Sequence, residues 1–258
     1  MDIQTPIITM RNLRKSYGDK EVLHGINLEI APGQVIGYIG PNGAGKSTTV
    51  RILAGLDNHF EGEVIVRGKD IRTEALEIKK HIGYIPEQTE IYDVLTPREF
   101  LQMLGRLQGM EEVLIQTRMQ KMLSYFGMDI HIDDRMDTFS KGMRQKVLLV
   151  SGLLHNPEII FMDEPLSGLD ANTVILVKEI IQQLAAQGKT IIYCSHIMDT
   201  VEKISDRIVL IASGNVVADG PIETLRREEG DTLEAIFSNL TGQSGFNEKA
   251  SDFMRSFD

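Results

Sequence analysis

Residues 34–50 read QVIGYIGPNGAGKSTTV, an apolar run that ends in a loop of three glycines and then enters a helix-forming stretch. From Gly40 to Ser47 the spacing is Gly-x-x-x-x-Gly-Lys-Ser. No other stretch limits the fold as much. A loop of this kind belongs between the end of a strand and the first turn of a helix, where backbone N–H groups converge on one point. Gly43 and Gly45 let those groups curl around a phosphate. Lys46 then reaches the β- and γ-phosphates, and the Ser47 hydroxyl suits Mg²⁺. A glycine-rich turn that carries a lysine by chance needs neither the strand nor the helix.

The remaining chain extends that unit. Residues 34–40, 81–86, 158–163, 190–196 and 207–213 are short apolar runs separated by amphipathic stretches, which predicts a parallel sheet with helices packed around it. The first thirty residues differ. IITMRNLRKSY, a turn at Gly18-Asp19 and then LHGINLEI alternate apolar with polar, as an antiparallel layer with one wet face does. Residues 97–155 carry no strand pattern and read as three helices, over 97–109, 111–126 and 142–156. Met103, Met119 and Met122 are expected to fill the core of that helical lobe. The expected division is a domain over 1–240, with its core at 1–88 and 156–230 and the lobe at about 89–155. Residues 231–258 then form a terminal helix, over 232–240, and a loosely held tail.

EIIFMDEP, residues 158–165, is an apolar strand that ends in two carboxylates. In a parallel sheet this strand end and the glycine-rich loop arrive at the same rim. Asp163 suits Mg²⁺, bound through water, and Glu164 suits a general base for an attacking water. His196 closes TIIYCSH on that rim, within reach of the γ-phosphate or the water. Ser140 in TFSKGMRQK is placed to cap a helix whose bare N–H groups attract an anion. Nothing in that stretch could hold a nucleotide or a metal.

Net charge is −10, which argues against nucleic acid as the main partner. The single cysteine, Cys194, excludes an internal disulfide and is expected to be a buried thiol in a reducing compartment. The N-terminal residues lack a signal-peptide pattern, and no apolar run approaches the roughly 18 residues of a membrane span.

Taken in this order, the pieces resemble the ATP-binding subunits of ABC transporters, over residues 7–240. GPNGAGKST, from Gly40 through Pro41, Asn42, Gly43, Ala44, Gly45, Lys46 and Ser47 to Thr48, looks like that family's Walker A motif. IIFMDE looks like its Walker B motif, SGLD (167–170, ending at Asp170) its D-loop, His196 its switch histidine, and SKGMRQ (140–145) its signature motif. Tyr17 matches the aromatic that stacks on adenine. The signature departs from the usual form, with Lys141 in place of a glycine and Met143 in place of a glutamine. SKGM and the terminal TLEAIFSNLTG are similar to a branch rich in exporters of drugs, polysaccharides and ions. In YIPEQTEIYDVLT, spacing from Tyr92 and Thr96 nominates Glu87 as the residue that senses Mg²⁺ and the membrane subunit, whereas residue identity nominates Gln88.

The resemblance implies an α/β P-loop NTPase fold of the ABC ATPase type, ATP and Mg²⁺ as cofactors, and ATP hydrolysis coupled to transport. Ser140 and Gly142 of one copy would meet ATP held by a second ATP-binding subunit. Separate integral membrane subunits would hold the chain, itself cytoplasmic, on the membrane's inner face, docked at the groove between sheet core and lobe. A soluble ATPase of the same architecture, serving ribosomes, DNA repair or cofactor assembly, is the alternative. The single ATP module, the lack of a coiled-coil insertion and the lack of a basic face count against it. A P-loop kinase or GTPase is disfavoured by the signature segment.

Overall fold

The computed structural model describes residues 5–87, 91–226, 232–241 and 253–256. Alternating residues around the Gly18-Asp19 turn build an antiparallel hairpin of β1 (Ile8–Tyr17) and β2 (Lys20–Ile30), in which Tyr17 pairs with Lys20 and Ile8 with Ile30. The apolar run before the glycine-rich loop is β3 (Val35–Ile39), buried along its whole length, and the loop opens directly into α1 (Lys46–Leu53). Next come β4 (Glu61–Val66), the two-residue β5 (Lys69–Asp70), the short α2 (Ala75–Lys79) and β6 (Ile82–Ile85).

The helical stretch forms α3 (Pro97–Leu107), α4 (Glu112–Tyr125) and α5 (Lys141–Leu153). Thr96 begins α3 with a complete capping box: its hydroxyl accepts from the Glu99 N–H at 3.2 Å, and Glu99 accepts from the Thr96 N–H at 2.9 Å. The chain then returns to the sheet through β7 (Ile159–Asp163), α6 (Ala171–Ala186), β8 (Thr190–Cys194), α7 (Met198–Ile204) and β9 (Arg207–Ala212). It continues with β10 (Asn215–Gly220), α8 (Ile222–Leu225) and α9 (Leu233–Leu240). No helix among the described residues is long and apolar enough to cross a membrane.

Two sheets result. The larger runs β10-β9-β3-β8-β7-β6 and is parallel except for β10, which pairs antiparallel with β9; the smaller is β2-β1-β4-β5, antiparallel throughout. Both faces of the parallel sheet are covered, which is why its strands read as unbroken apolar runs. One face carries Ile36, Phe161, Ile192 and Val209 into a core shared with α1 and the antiparallel layer. The other packs Ile85, Ile160 and Ile191 against the three-helix lobe, α6 and α9. Met119 is fully buried there, with Met103 and Met122 packed at its edge. Cys194 is buried in the first core, and burial pushes its thiol well above the usual range. The helix expected over 232–240 is α9. Of the tail, residues 242–252, 257 and 258 lie outside the described residues.

Candidate nucleotide site

The glycine-rich loop is held by its own backbone and by the sheet. The Ala44 N–H donates to the Pro41 carbonyl at 3.1 Å, and the Gly214 N–H donates to the Ala44 carbonyl at 3.2 Å. Gly45 stands at the N-cap of α1 with φ 108°, and a Cβ there would come within 2.5 Å of Leu23. Only glycine meets both demands. The Lys46 ammonium arches back over the loop, donating to the carbonyls of Gly40 at 2.7 Å and Pro41 at 3.2 Å. It is therefore already poised across the mouth where phosphate oxygens would sit. Thr49 anchors the helix from beneath, its hydroxyl donating to the Gly45 carbonyl at 2.9 Å.

Because β3, β7 and β8 are parallel neighbours, their C-terminal ends bring the remaining groups to this loop. Asp163 is 2% exposed and lines the cavity with Ser47. Burial pushes its carboxyl up, the neighbouring Ser47 hydroxyl pulls it down, and the negative charges of Glu87 and Glu164 push it up further. Glu87, Asp163, Glu164, Ser47 and Lys46 line one cavity, but no three acidic, His or Cys side chains among the described residues cluster closely enough to hold a metal by themselves. Asp163 and the Ser47 hydroxyl suit Mg²⁺, which takes one or two protein oxygens and completes its shell with phosphate oxygens and water.

Glu164 follows in a left-handed backbone conformation, φ 48°, that a non-glycine residue adopts only when its surroundings enforce it. The enforcement is visible. Its N–H donates to the Cys194 carbonyl at 2.9 Å, across to β8. One carboxylate oxygen accepts from the His196 N–H at 2.8 Å and lies 2.7 Å from His196 Nδ1. The other accepts from the Ser195 hydroxyl at 3.0 Å. With Nδ1 as donor, the imidazole keeps Nε2 for a second partner. Its side chain is 72% exposed, so that nitrogen can reach the cavity.

The cavity, about 710 Å³, is lined by Asn42, Gly43, Gly45 and the Lys46–Thr48 turn, by Glu87, Asp163, Glu164 and His196, and at one end by Tyr17. The Tyr17 ring carries the Lys15 ammonium 4.7 Å from its centroid, and its hydroxyl donates to Asp57 at 3.2 Å. Lys15 in turn is buried and paired with Asp57 at 2.7 Å, which fixes the ring's base. Lys20 and Val22 line the same end. No motif marks them, although the Tyr17↔Lys20 pairing of the hairpin puts them there. Gln88 lies outside the described residues, and Glu87 is exposed on the cavity wall.

Ser140, Gly142 and Asp170 do not line this cavity. Ser140 caps α5, accepting from the Met143 N–H at 3.2 Å, and Asp170 caps α6, accepting from the Thr173 N–H at 3.0 Å. The Thr173 hydroxyl also bonds Asp170, and Lys146 stands 3.4 Å from it; these contacts hold the Asp170 carboxyl well below the usual range.

Comparison with known proteins agrees with this architecture. The family described as ABC transporter matches residues 23–167. The chain is 38% identical to the ABC transporter ATP-binding protein NatA of Bacillus subtilis, over 90% of this chain and 96% of that one. It is 33% identical to the Nod factor export ATP-binding protein I of Cupriavidus metallidurans, covering 92% and 81%. A solved ATP-binding subunit of an ABC transporter superposes with a TM-score of 0.85 at 29% identity, over 91% of this chain and 99% of that one. A dimeric ATP-binding cassette, solved in a post-hydrolysis state with ADP and Pi, gives 0.78 at 25%, over 83% and 98%. A rim of glycine-rich loop, acidic strand end and histidine, on a fold shared over most of its length with such subunits, places the chain in the ABC transporter family as an ATP-binding, ATP-hydrolysing subunit.

Proposed function

We propose that two copies of this chain close around two ATP molecules, and that hydrolysis drives export through separate membrane subunits. The observation that carries the pairing is the position of Ser140 and Gly142. They form a capped, anion-seeking helix start that takes no part in the cavity of their own chain. A second copy, facing head to tail, supplies the missing anion. The dimeric relative with ADP and Pi supports this reading, and the relative named for Nod factor export supports the outward direction.

In that pair Lys46 and the loop N–H groups hold the β- and γ-phosphates, and Tyr17 offers its ring to the base. Ser47 and Asp163 would hold Mg²⁺, which supplies charge neutralisation across the phosphates when bound. Glu164 takes the proton of a water whose oxygen attacks the γ-phosphorus, while the bond to the ADP oxygen breaks and inorganic phosphate leaves. His196 keeps the Glu164 carboxylate aimed. Glu87, which lines the cavity with Asp163, would touch the water held by Mg²⁺. The membrane subunit would dock in the cavity of about 310 Å³ between β6 and the helical lobe, where Leu56, Tyr84, Leu107 and His155 line the wall.

Glu164→Gln tests the reading directly. The neutral isostere keeps the phosphate contacts and removes the proton acceptor, so the variant should bind ATP, pass from monomer to dimer on adding ATP and Mg²⁺, and turn over at least 100-fold more slowly. Size-exclusion chromatography with and without nucleotide reads the first two. A variant that stays monomeric with ATP bound, or hydrolyses normally, defeats the proposal.

A further inference from the structure

The departure at Lys141 has a structural counterpart. Lys141 opens α5, and its ammonium donates to the Ser167 hydroxyl at 2.8 Å. Its methylene stem lies over Gly168, where a Cβ would meet the lysine's Cγ and Cδ at 3.2 Å. One residue on, Gly142 approaches the same loop so closely that a Cβ would stand 2.6 Å from the Gly168 carbonyl oxygen. Further along α5, the buried Gln145 amide donates to the Pro165 carbonyl at 3.1 Å, and Lys146 reaches Asp170. The first two turns of α5 therefore grip the segment 165–170 at four points. That segment begins at the residue after Glu164.

We propose that Lys141 is a positioning residue, a clamp that fixes the 165–170 loop to the start of α5 so that both move as one piece. The proposal rests on the shared-site reading above: α5 presents Ser140 and Gly142 to the second copy's nucleotide, while the loop leads back to this chain's own Glu164. The clamp ties the two together. An ammonium–hydroxyl bond at the exposed end supplies what the closely approaching backbones at Gly142 and Gly168 lack, a side-chain tether. A glycine at position 141 has no atoms to do so. Lys141 touches no nucleotide in this account; it acts through Ser167.

The test uses the full chain with ATP and Mg²⁺. Lys141→Met keeps the stem over Gly168 and deletes the ammonium; Ser167→Ala deletes the acceptor. Each should lower kcat by about tenfold, with KM for ATP changed by less than about twofold, because each chain's own phosphate loop is untouched. The double variant should be no worse than either single one, and Lys141→Arg should recover part of the turnover. Melting temperatures close to that of the parent chain separate positioning from misfolding. If Ser167→Ala keeps full turnover while Lys141→Met does not, the ammonium acts on phosphate directly and the clamp is wrong. Losses that multiply in the double variant also overturn it. Ser140→Ala, run in parallel, keeps the two ideas apart. Full activity there sinks the shared-site reading itself, whereas an inactive Ser140→Ala beside a fully active Lys141→Met sinks only the clamp.

Discussion

At the scale of single residues, the site stores its cost in Asp163. Its carboxyl is buried, feels the charges of Glu87 and Glu164 and has its pKa raised. A carboxyl raised above its unfolded value leaves stability intact below the unfolded pKa and removes it as pH rises through the folded one. Ionised Asp163 therefore destabilises the ligand-free chain at neutral pH. Asp163→Asn should raise its melting temperature at pH 7, with the gain shrinking as the pH falls into the range where the wild-type carboxyl is protonated. The same variant should lose most hydrolysis. Thermal melts across pH check the sign, and a lower melting temperature at pH 7 would contradict it. Asp163, Glu164 and His196 could be read from sequence because they stand at or just past the ends of apolar strands, and parallel strands that flank the phosphate loop deliver their ends to one rim. Lys20 and Val22 could not, since their place depends on hairpin register. The Lys15–Asp57 pair beneath Tyr17 joins residues 42 positions apart, which no local pattern reports.

At the scale of elements, legibility followed burial. The five parallel strands of the large sheet, covered on both faces, announce themselves as apolar runs, β6 included although it lies at one edge. β10, the antiparallel strand at the other edge, does not, because it alternates exposed with half-buried residues along Asn215–Gly220. β4 follows a loop, starts with polar residues and borrows its partner from β1, and β5 is two residues long. The helical lobe was plain from its 3.6 spacing, and α3 also from its start, where Thr96, Pro97 and Glu99 spell a capping box. That cap fixes the first turn after the segment leading from Glu87. Thr96→Ala should cost about 1 kcal/mol, a fall of roughly 2–4 °C in melting temperature for a chain of this size. Differential scanning calorimetry reads it, and no measurable change would mean that Pro97 alone sets the helix start.

At the scale of the whole molecule, the nucleotide cavity and the groove beside the lobe are connected by shared walls. Ser47, Glu87 and Asp163 line both the nucleotide cavity and a smaller space beside it, and Leu56 and Tyr84 line that space and the groove. Tyr84 stands at the joint, its phenol pushed up to about 12 by burial and by the charge of Asp163. A partner seated in the groove would thus press on residues one contact away from the phosphates. The groove offers apolar surface for such a partner: Leu56 is 50% exposed and Leu107, at the end of α3, 76%. Leu107→Glu places a charge on that surface where it meets water, so folding should tolerate it, whereas desolvating the carboxylate against an apolar partner costs several kcal/mol. Recovery of the chain with membranes that contain the proposed transporter subunits should fall at least tenfold, with a far smaller change in the ATPase rate of the isolated chain. Sedimentation of membranes followed by quantification of the bound chain decides it. Undiminished recovery would move the docking site away from the groove and leave the shared walls without a role in coupling.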